Sequence, residues 1–213
     1  MDWTVEATSS GRARLGTLFI GGVLACAVQV TTLVSEMMAQ ARGPIPDGQV
    51  TSGTLSFDGH ATVGDFTGTT RTVTGRLTGA PELSGVKGWV EAPVQELKTG
   101  DTKRDKDLNK SMESSKYPNL RFELTSITAQ PSGGDSIPVV LHGTFDIHGV
   151  TRRVELPGSI AFQGSRARVR SDFPLNLKDY KIGGLSKMLG MLKMHENIEV
   201  HVDLDFQLGA ANR

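Results

Sequence analysis

Residues 198–208 alternate without a fault. Ile198, Val200, Val202, Leu204, Phe206 and Leu208 are apolar, and Glu199, His201, Asp203, Asp205 and Gln207 between them are polar. Successive side chains of a strand point to opposite faces, so this run has one greasy and one wet side, as in an antiparallel sheet covering a core. The same period recurs upstream. Leu120, Phe122 and Leu124 alternate with Arg121, Glu123 and Thr125. Val139, Leu141, Gly143, Phe145 and Ile147 alternate with Val140, His142, Thr144, Asp146 and His148. Val154 and Leu156 lead through Gly158 to Ile160 and Phe162, and Val169, Ser171, Phe173, Leu175 and Leu177 make a further run. Weaker runs rich in Thr, Val and Gly cover 51–58, 65–77 and 86–97.

That is about eight strands with short Gly- or Pro-containing connections, an all-β reading. His148-Gly149 marks a tight hairpin, where glycine supplies positive φ. Strands with one apolar face must bury it, and closing the sheet also removes exposed edges. The pattern therefore predicts an eight-stranded antiparallel up-and-down barrel. A two-sheet sandwich satisfies the same alternation.

Two segments break the period. Residues 102–115 read as a short helix, with Thr102 and Asp105 as a capping-box-like start and Leu108 and Met112, at i and i+4, as its greasy side. Pro118 turns the chain into the next strand. The second is a Met-rich connection before the last strand, 183–195, where Met188, Met191 and Met194 would share one side of a helical turn. Methionine there is apolar filler or an adaptable lid at a barrel mouth; with His195 it also offers soft ligands to Cu(I), the weakest of the three readings.

Residues 1–41 have the form of a secretory signal peptide: Arg12 and Arg14, an uncharged stretch over 15–34, and Ala39 and Ala41 before a cleavage point that leaves Arg42 first. The apolar stretch is also long enough to remain as a membrane anchor, and 23–26 loosely resembles a lipidation site at Cys26. The expectation is periplasmic or other export, with membrane proximity if the leader is kept. After it come a linker over 42–49, a barrel domain over 50–208 and a tail over 209–213. Cys26 is the sole cysteine, so a mature chain has no thiol, which suits an oxidising compartment. Lys+Arg and Asp+Glu both number 23, leaving no compositional case for nucleic acid. The sequence carries no signal for an oligomeric state.

Two ordered blocks carry a resemblance. Arg104-Asp105-Lys106-Asp107-Leu108, then Lys116-Tyr117-Pro118 and Phe122, resembles the first signature of the YceI-like proteins. Residues 143–154, GTFDIHGVTRRV, resemble that family's "G-x-L-x-I-H-G-V-T-x-x-V" hairpin, with Phe145 where the family often has Leu. The likeness spans 50–208. It implies a lipocalin-like barrel whose lumen can hold a polyisoprenoid or other long-chain lipid, and export in many members; it does not imply an enzyme, and neither catalysis nor a cofactor is expected. In that pattern Arg104, Asp105, Leu108, Tyr117, Pro118, His148, Gly149 and Thr151 are structural.

The inward-facing candidates for a lumen are Phe57, Phe66, Leu120, Phe122, Leu124, Leu141, Phe145, Ile147, Phe162, Phe173, Val200 and Phe206. An eight-stranded barrel either fills itself with such side chains or leaves room for one guest. The two functional expectations follow: a carrier or sequestering protein for a long apolar ligand, or a structural or stress-related interaction module with a solid core. No Gly-x-Ser-x-Gly, Walker or His-Glu-x-x-His motif is present. Asp105 and Asp107 resemble a catalytic carboxylate pair but read better as a solvated helix face. His142 and His201 fall on outward faces, and His148 in a turn.

Overall fold

The computed structural model describes residues 43–62, 64–183, 186–187 and 192–209. The leader with Cys26, the residues Met188 and Met191, and the tail beyond Gly209 lie outside the described residues. The wall is built from β1 (Gly48–Gly59), β2 (Phe66–Thr70), β3 (Thr74–Thr78), β4 (Lys87–Pro93), β5 (Asn119–Ala129), β6 (Ser136–Ile147), β7 (Val150–Gln163) and β8 (Arg166–Asn176). A short pair, β9 (Ser186–Lys187) and β10 (Leu192–Lys193), precedes β11 (Asn197–Leu208). The order is β11-β8-β7-β6-β5-β4-β3-β1, and β1 pairs with β11 to close the ring. All these ladders are antiparallel. The result is an eight-stranded up-and-down barrel, because β2 and β3 share the length of β1 as two halves of one wall strand: β2 lies against Leu55–Gly59 and β3 against Gly48 and Gln49. The sandwich alternative is thereby excluded.

The weaker runs needed correction. The stretch 65–77 is broken at 71–73, where the buried Thr70 hydroxyl accepts the Thr72 N–H (3.0 Å) in place of a ladder partner. Before the break β2 has no ladder with β4, and its Thr69 bridges to Lys98. The run 86–97 stops at Pro93 and becomes a 3-10 turn over Val94–Glu96, whose Val94 is wholly buried. Two threonines make β-bulges. At Thr51 and Thr125 the register slips by one residue, and each hydroxyl donates to the facing carbonyl, of Asp205 (3.3 Å) and His142 (2.9 Å). After Thr125 the inward position passes from Leu124 to Ile127, so alternation from Leu120 does not run through the whole strand.

Helix α1 (Thr102–Ser111) lies in the crossover between β4 and β5. Its cap is Asp101, not Thr102: the Asp101 carboxylate accepts the N–H groups of Lys103 (2.8 Å) and Arg104 (2.9 Å). Asp105 instead turns back to accept the Thr99 N–H (2.8 Å) and hydroxyl (2.7 Å). An Asp side chain is one carbon short of the capping-box Glu, which leaves it free for this loop bond. The helical turn expected of Met188, Met191 and Met194 lies mostly outside the described residues of the connection before β11. Where described, that connection is extended, with Leu192 against Lys187 and Lys193 against Ser186.

The connections gather at two ends. At the hairpin end lie 79–86, 130–135 and 164–165; at the helix end lie 60–62, 64–65, 94–118, the 148–149 turn and the described parts of 177–196. At the helix end Val94, Leu97, Met112, Leu177, Tyr180 and Ile182 are buried.

Candidate functional site

The barrel is hollow. Its lumen encloses about 550 Å³, within the range of small-molecule sites, and its wall is almost wholly apolar. The expectation of a solid core therefore does not describe this interior. Every inward candidate named from the sequence stands on the lumen wall. Phe57, Leu124, Leu141, Ile147, Phe173, Val200 and Phe206 are buried, while Phe66, Leu120, Phe122, Phe145 and Phe162 are half-buried.

Aromatic rings crowd toward the helix end. Phe122 and Phe145 lie 5.1 Å apart, and Phe145 and Phe173 lie 5.6 Å apart. On the opposite wall Phe57 meets Phe66 edge to face at 6.1 Å. These rings fit because glycine faces them. A Cβ on Gly68 would come within 2.2 Å of the Phe57 ring, and one on Gly143 within 2.7 Å of the Phe122 ring. The glycines look like weak points in their strands but are the seats of the aromatics.

The charged lining comes mainly from one end. Asp65 from the 60–65 connection and Asp101, Lys103, Arg104 and Asp107 from α1 border the lumen. Leu108 and Met112 turn inward from α1, as their spacing predicts. The Arg104 guanidinium lies 4.5 Å from the centre of the Phe66 ring, a cation–π contact at the rim. Met194, the described member of the methionine trio, also lines the lumen and bridges to Ala61. His60 and Asp65 pair at 2.8 Å beside it; that hydrogen bond, then the carboxylate's charge, raises the His60 pKa above its ordinary value.

The two sequence blocks meet at this end as a brace. His148 and Gly149 both have positive φ (55° and 70°), a type I′ arrangement suited to a two-residue hairpin. The His148 ring lies under Tyr117 (4.9 Å), and its Nδ1–H donates to the Tyr180 carbonyl (3.0 Å). Gly149 is obligatory twice over, since a Cβ there would stand 2.4 Å from the Tyr117 ring. Pro118 contributes its carbonyl to the Val94 N–H (2.8 Å), and Thr151 pairs with Asp146 in the hairpin. The turn reading of His148 is right, but its burial between two tyrosine-bearing segments has no period or spacing that announces it.

Asp105 and Asp107 do not form a reacting pair: Asp105 is committed to Thr99, whose hydroxyl chiefly holds its pKa below the ordinary carboxylate value. His142 and His201 lie on outward faces, with Thr128 (2.9 Å) and with Asp172 (2.6 Å) respectively. Among the described residues, no three His, Cys, Asp or Glu are grouped to hold a metal ion.

Residues 48–206 match the YceI-like domain, about three-quarters of the chain, over the whole barrel just described. The chain belongs to the YceI-like family. No curated protein sequence matches it. Among solved structures it is similar to a polyisoprenoid binding domain from Saccharophagus degradans implicated in plant cell wall breakdown (TM-score 0.63, 15% identity, 77% of this chain and 99% of that one). It is also similar to Burkholderia cenocepacia BcnA (TM-score 0.61, 15% identity, 72% of this chain and 95% of that one). At that identity the likeness concerns the fold.

Proposed function

We propose that this YceI-like protein is an exported, non-enzymatic carrier that holds a polyisoprenoid or similar long-chain lipid in its barrel lumen. One observation carries the reading: an apolar space of about 550 Å³ inside the barrel wall, with most of its polar groups at the rim. At ~30 Å³ for a water-sized group, that space holds on the order of eighteen carbons, close to four five-carbon prenyl units. At about 0.8 kcal/mol per sheltered CH₂, the gross gain is on the order of 14 kcal/mol, enough to offset much or all of the association cost. A longer tail would leave its remainder outside. The polyisoprenoid binding described for the Saccharophagus domain supports the same ligand class. The leader over residues 1–41 supports export.

Native mass spectrometry of protein purified from bacteria tests the ligand: a retained or added long-chain lipid is expected. Val169→Trp, which projects bulk into the lumen from β8, is expected to keep the fold and lose the adduct. A wild-type protein that stays lipid-free when offered polyprenols overturns the carrier role. N-terminal sequencing of exported protein should begin at Arg42.

A further inference from the structure

Besides the parting of β2 from β4, the wall has an incomplete seam between β7 and β8. β7 and β8 pair only from Ser159 opposite Arg170 to Gln163 opposite Arg166, although β7 begins at Val150 and β8 continues to Asn176. A second hollow, about 250 Å³, lies where the pairing has stopped. Among its apolar residues, Phe145, Leu156, Phe173 and Leu175 line the lumen as well. The two spaces are thus separated by a layer one side chain thick, in which Phe145 and Leu175 are half-buried and Leu156 and Phe173 buried.

The outer side of this hollow has a different chemistry. Arg152, Arg153, Asn176, Asp179 and Tyr180 border it. Arg152 is the residue opposite Phe145, so it falls on the inward parity of β7, where every neighbour of that parity from Val154 to Phe162 is apolar or glycine. A cation on the greasy face of a strand is out of place in a plain core. Here its guanidinium meets Asp179 (Nη1–Oδ1 3.3 Å), with both side chains about half-exposed. Two arginines against one aspartate leave the rim net positive.

We propose that this seam is a portal of the lumen and that Arg152 seats the anionic head, a carboxylate or phosphate, of an amphiphile whose tail lies inside. The inference rests on the carrier reading and adds to it a head-group class and a location away from α1. The tail enters by displacement of Phe145 from Phe173, and the head exchanges with Asp179 for the guanidinium. A charge-assisted hydrogen bond is strong enough to set a preference for an anion over a neutral head.

The test uses two chains of equal length, palmitate and hexadecanol, competed at equal concentration and read by native mass spectrometry. The wild-type protein should take palmitate over hexadecanol by about tenfold, the size of one charged hydrogen bond. Arg152→Gln should bring that ratio close to unity. Asp179→Asn, which releases Arg152 from its ion partner, should raise it, and a melting curve of each variant confirms a folded barrel. Uptake without head preference, or a preference that survives in Arg152→Gln and falls instead in Arg104→Gln, overturns the portal and leaves the carrier intact. Uptake of neither chain by the wild-type protein overturns both.

Discussion

Strand β8 has two neighbours and treats them differently. Toward β11 it is paired along its entire length, from Arg166 opposite Gln207 to Asn176 opposite Asn197. Toward β7 the ladder ends at Arg170. The β11 side is also laced outside: Asp203 accepts from Arg168 Nε (2.7 Å) and Arg170 Nε (3.1 Å), and Asn176 donates to Asn197 (2.8 Å). The β7 side has a polar substitute where the ladder fails. The Ser171 hydroxyl donates to the Pro157 carbonyl at 2.6 Å. A strand residue aims its N–H and C=O at the same edge, so the missing N–H of Pro157 also faces β8. Continuing the ladder would set Pro157 against Asp172, and Pro174 shares that edge of β8. Two prolines therefore remove donors from this one seam, while β8–β11 runs unbroken past Pro174. Apolar alternation decides which way a strand faces; proline decides which of its edges can close.

The contrast should be largest in stability. Phe206, 2% exposed beside the closed seam, is the more deeply buried of two rings that can be compared across β8. Phe206→Ala is expected to cost about 3–4 kcal/mol, and Phe145→Ala, half-buried at the open seam, about 1–2 kcal/mol. Urea titrations of the two variants measure the difference. Equal costs would mean that the open seam is as tightly packed as the closed one. Next comes the turn that launches β7. Gly149→Val meets both a positive φ and the Tyr117 ring, and should cost about 2–3 kcal/mol. If the hairpin tolerated it without a shift in midpoint, the brace of Tyr117, His148 and Tyr180 would not hold this end.

A third experiment acts on the seam itself. Pro157→Val and Pro174→Val together restore two donors, and amide exchange along residues 151–158 and 171–176 should slow toward the rates on the β11 side. The global midpoint should move by less than about 1 kcal/mol, the net worth of a hydrogen bond or so. Unchanged exchange would assign the gap to something other than proline. The same pair of substitutions should slow lipid exchange if the seam is a portal.

These residues also show what the sequence made legible. Faces were readable because burial of one side of a strand leaves a period of two, and every inward candidate reached the lumen wall. Pro157 and Pro174 stand in plain sight inside their runs, and a proline in a strand marks an edge without a donor. Arg152 was legible as a cation at an inward parity. The bulges at Thr51 and Thr125 were not, since a threonine suits either face of a strand and its bond to a facing carbonyl exists only after pairing. The Asp101 cap needed the loop bond that occupies Asp105. The break at 71–73 needed the facing strands, because a run of Thr and Val has no inherent stop.

The smallest effect lies on the closed side, where His201 joins three strands. Its Nδ1 is 2.6 Å from Asp172 on β8 and its Nε2 is 3.2 Å from Asp58 on β1. Both bonds need a protonated ring, so the hydrogen bond to Asp172, and after it the one to Asp58, raises the His201 pKa above the ordinary 6.5. The sign follows. The folded state binds this proton more tightly than the unfolded one, so the stabilisation is complete below 6.5 and disappears as the pH climbs through the raised value. Asp58 works in the opposite direction: the Thr67 hydroxyl chiefly lowers its pKa, and that contribution is lost only in acid, as pH falls through the lowered value. The three side chains are 40–72% exposed, which screens the cluster to a few tenths of a kcal/mol. His201→Gln should therefore lower the urea midpoint slightly near about pH 6 and hardly at all near about pH 8, with the gap shrinking in high salt. A loss of equal size at both pH values would show that the ring acts by packing and that charge on this seam contributes nothing.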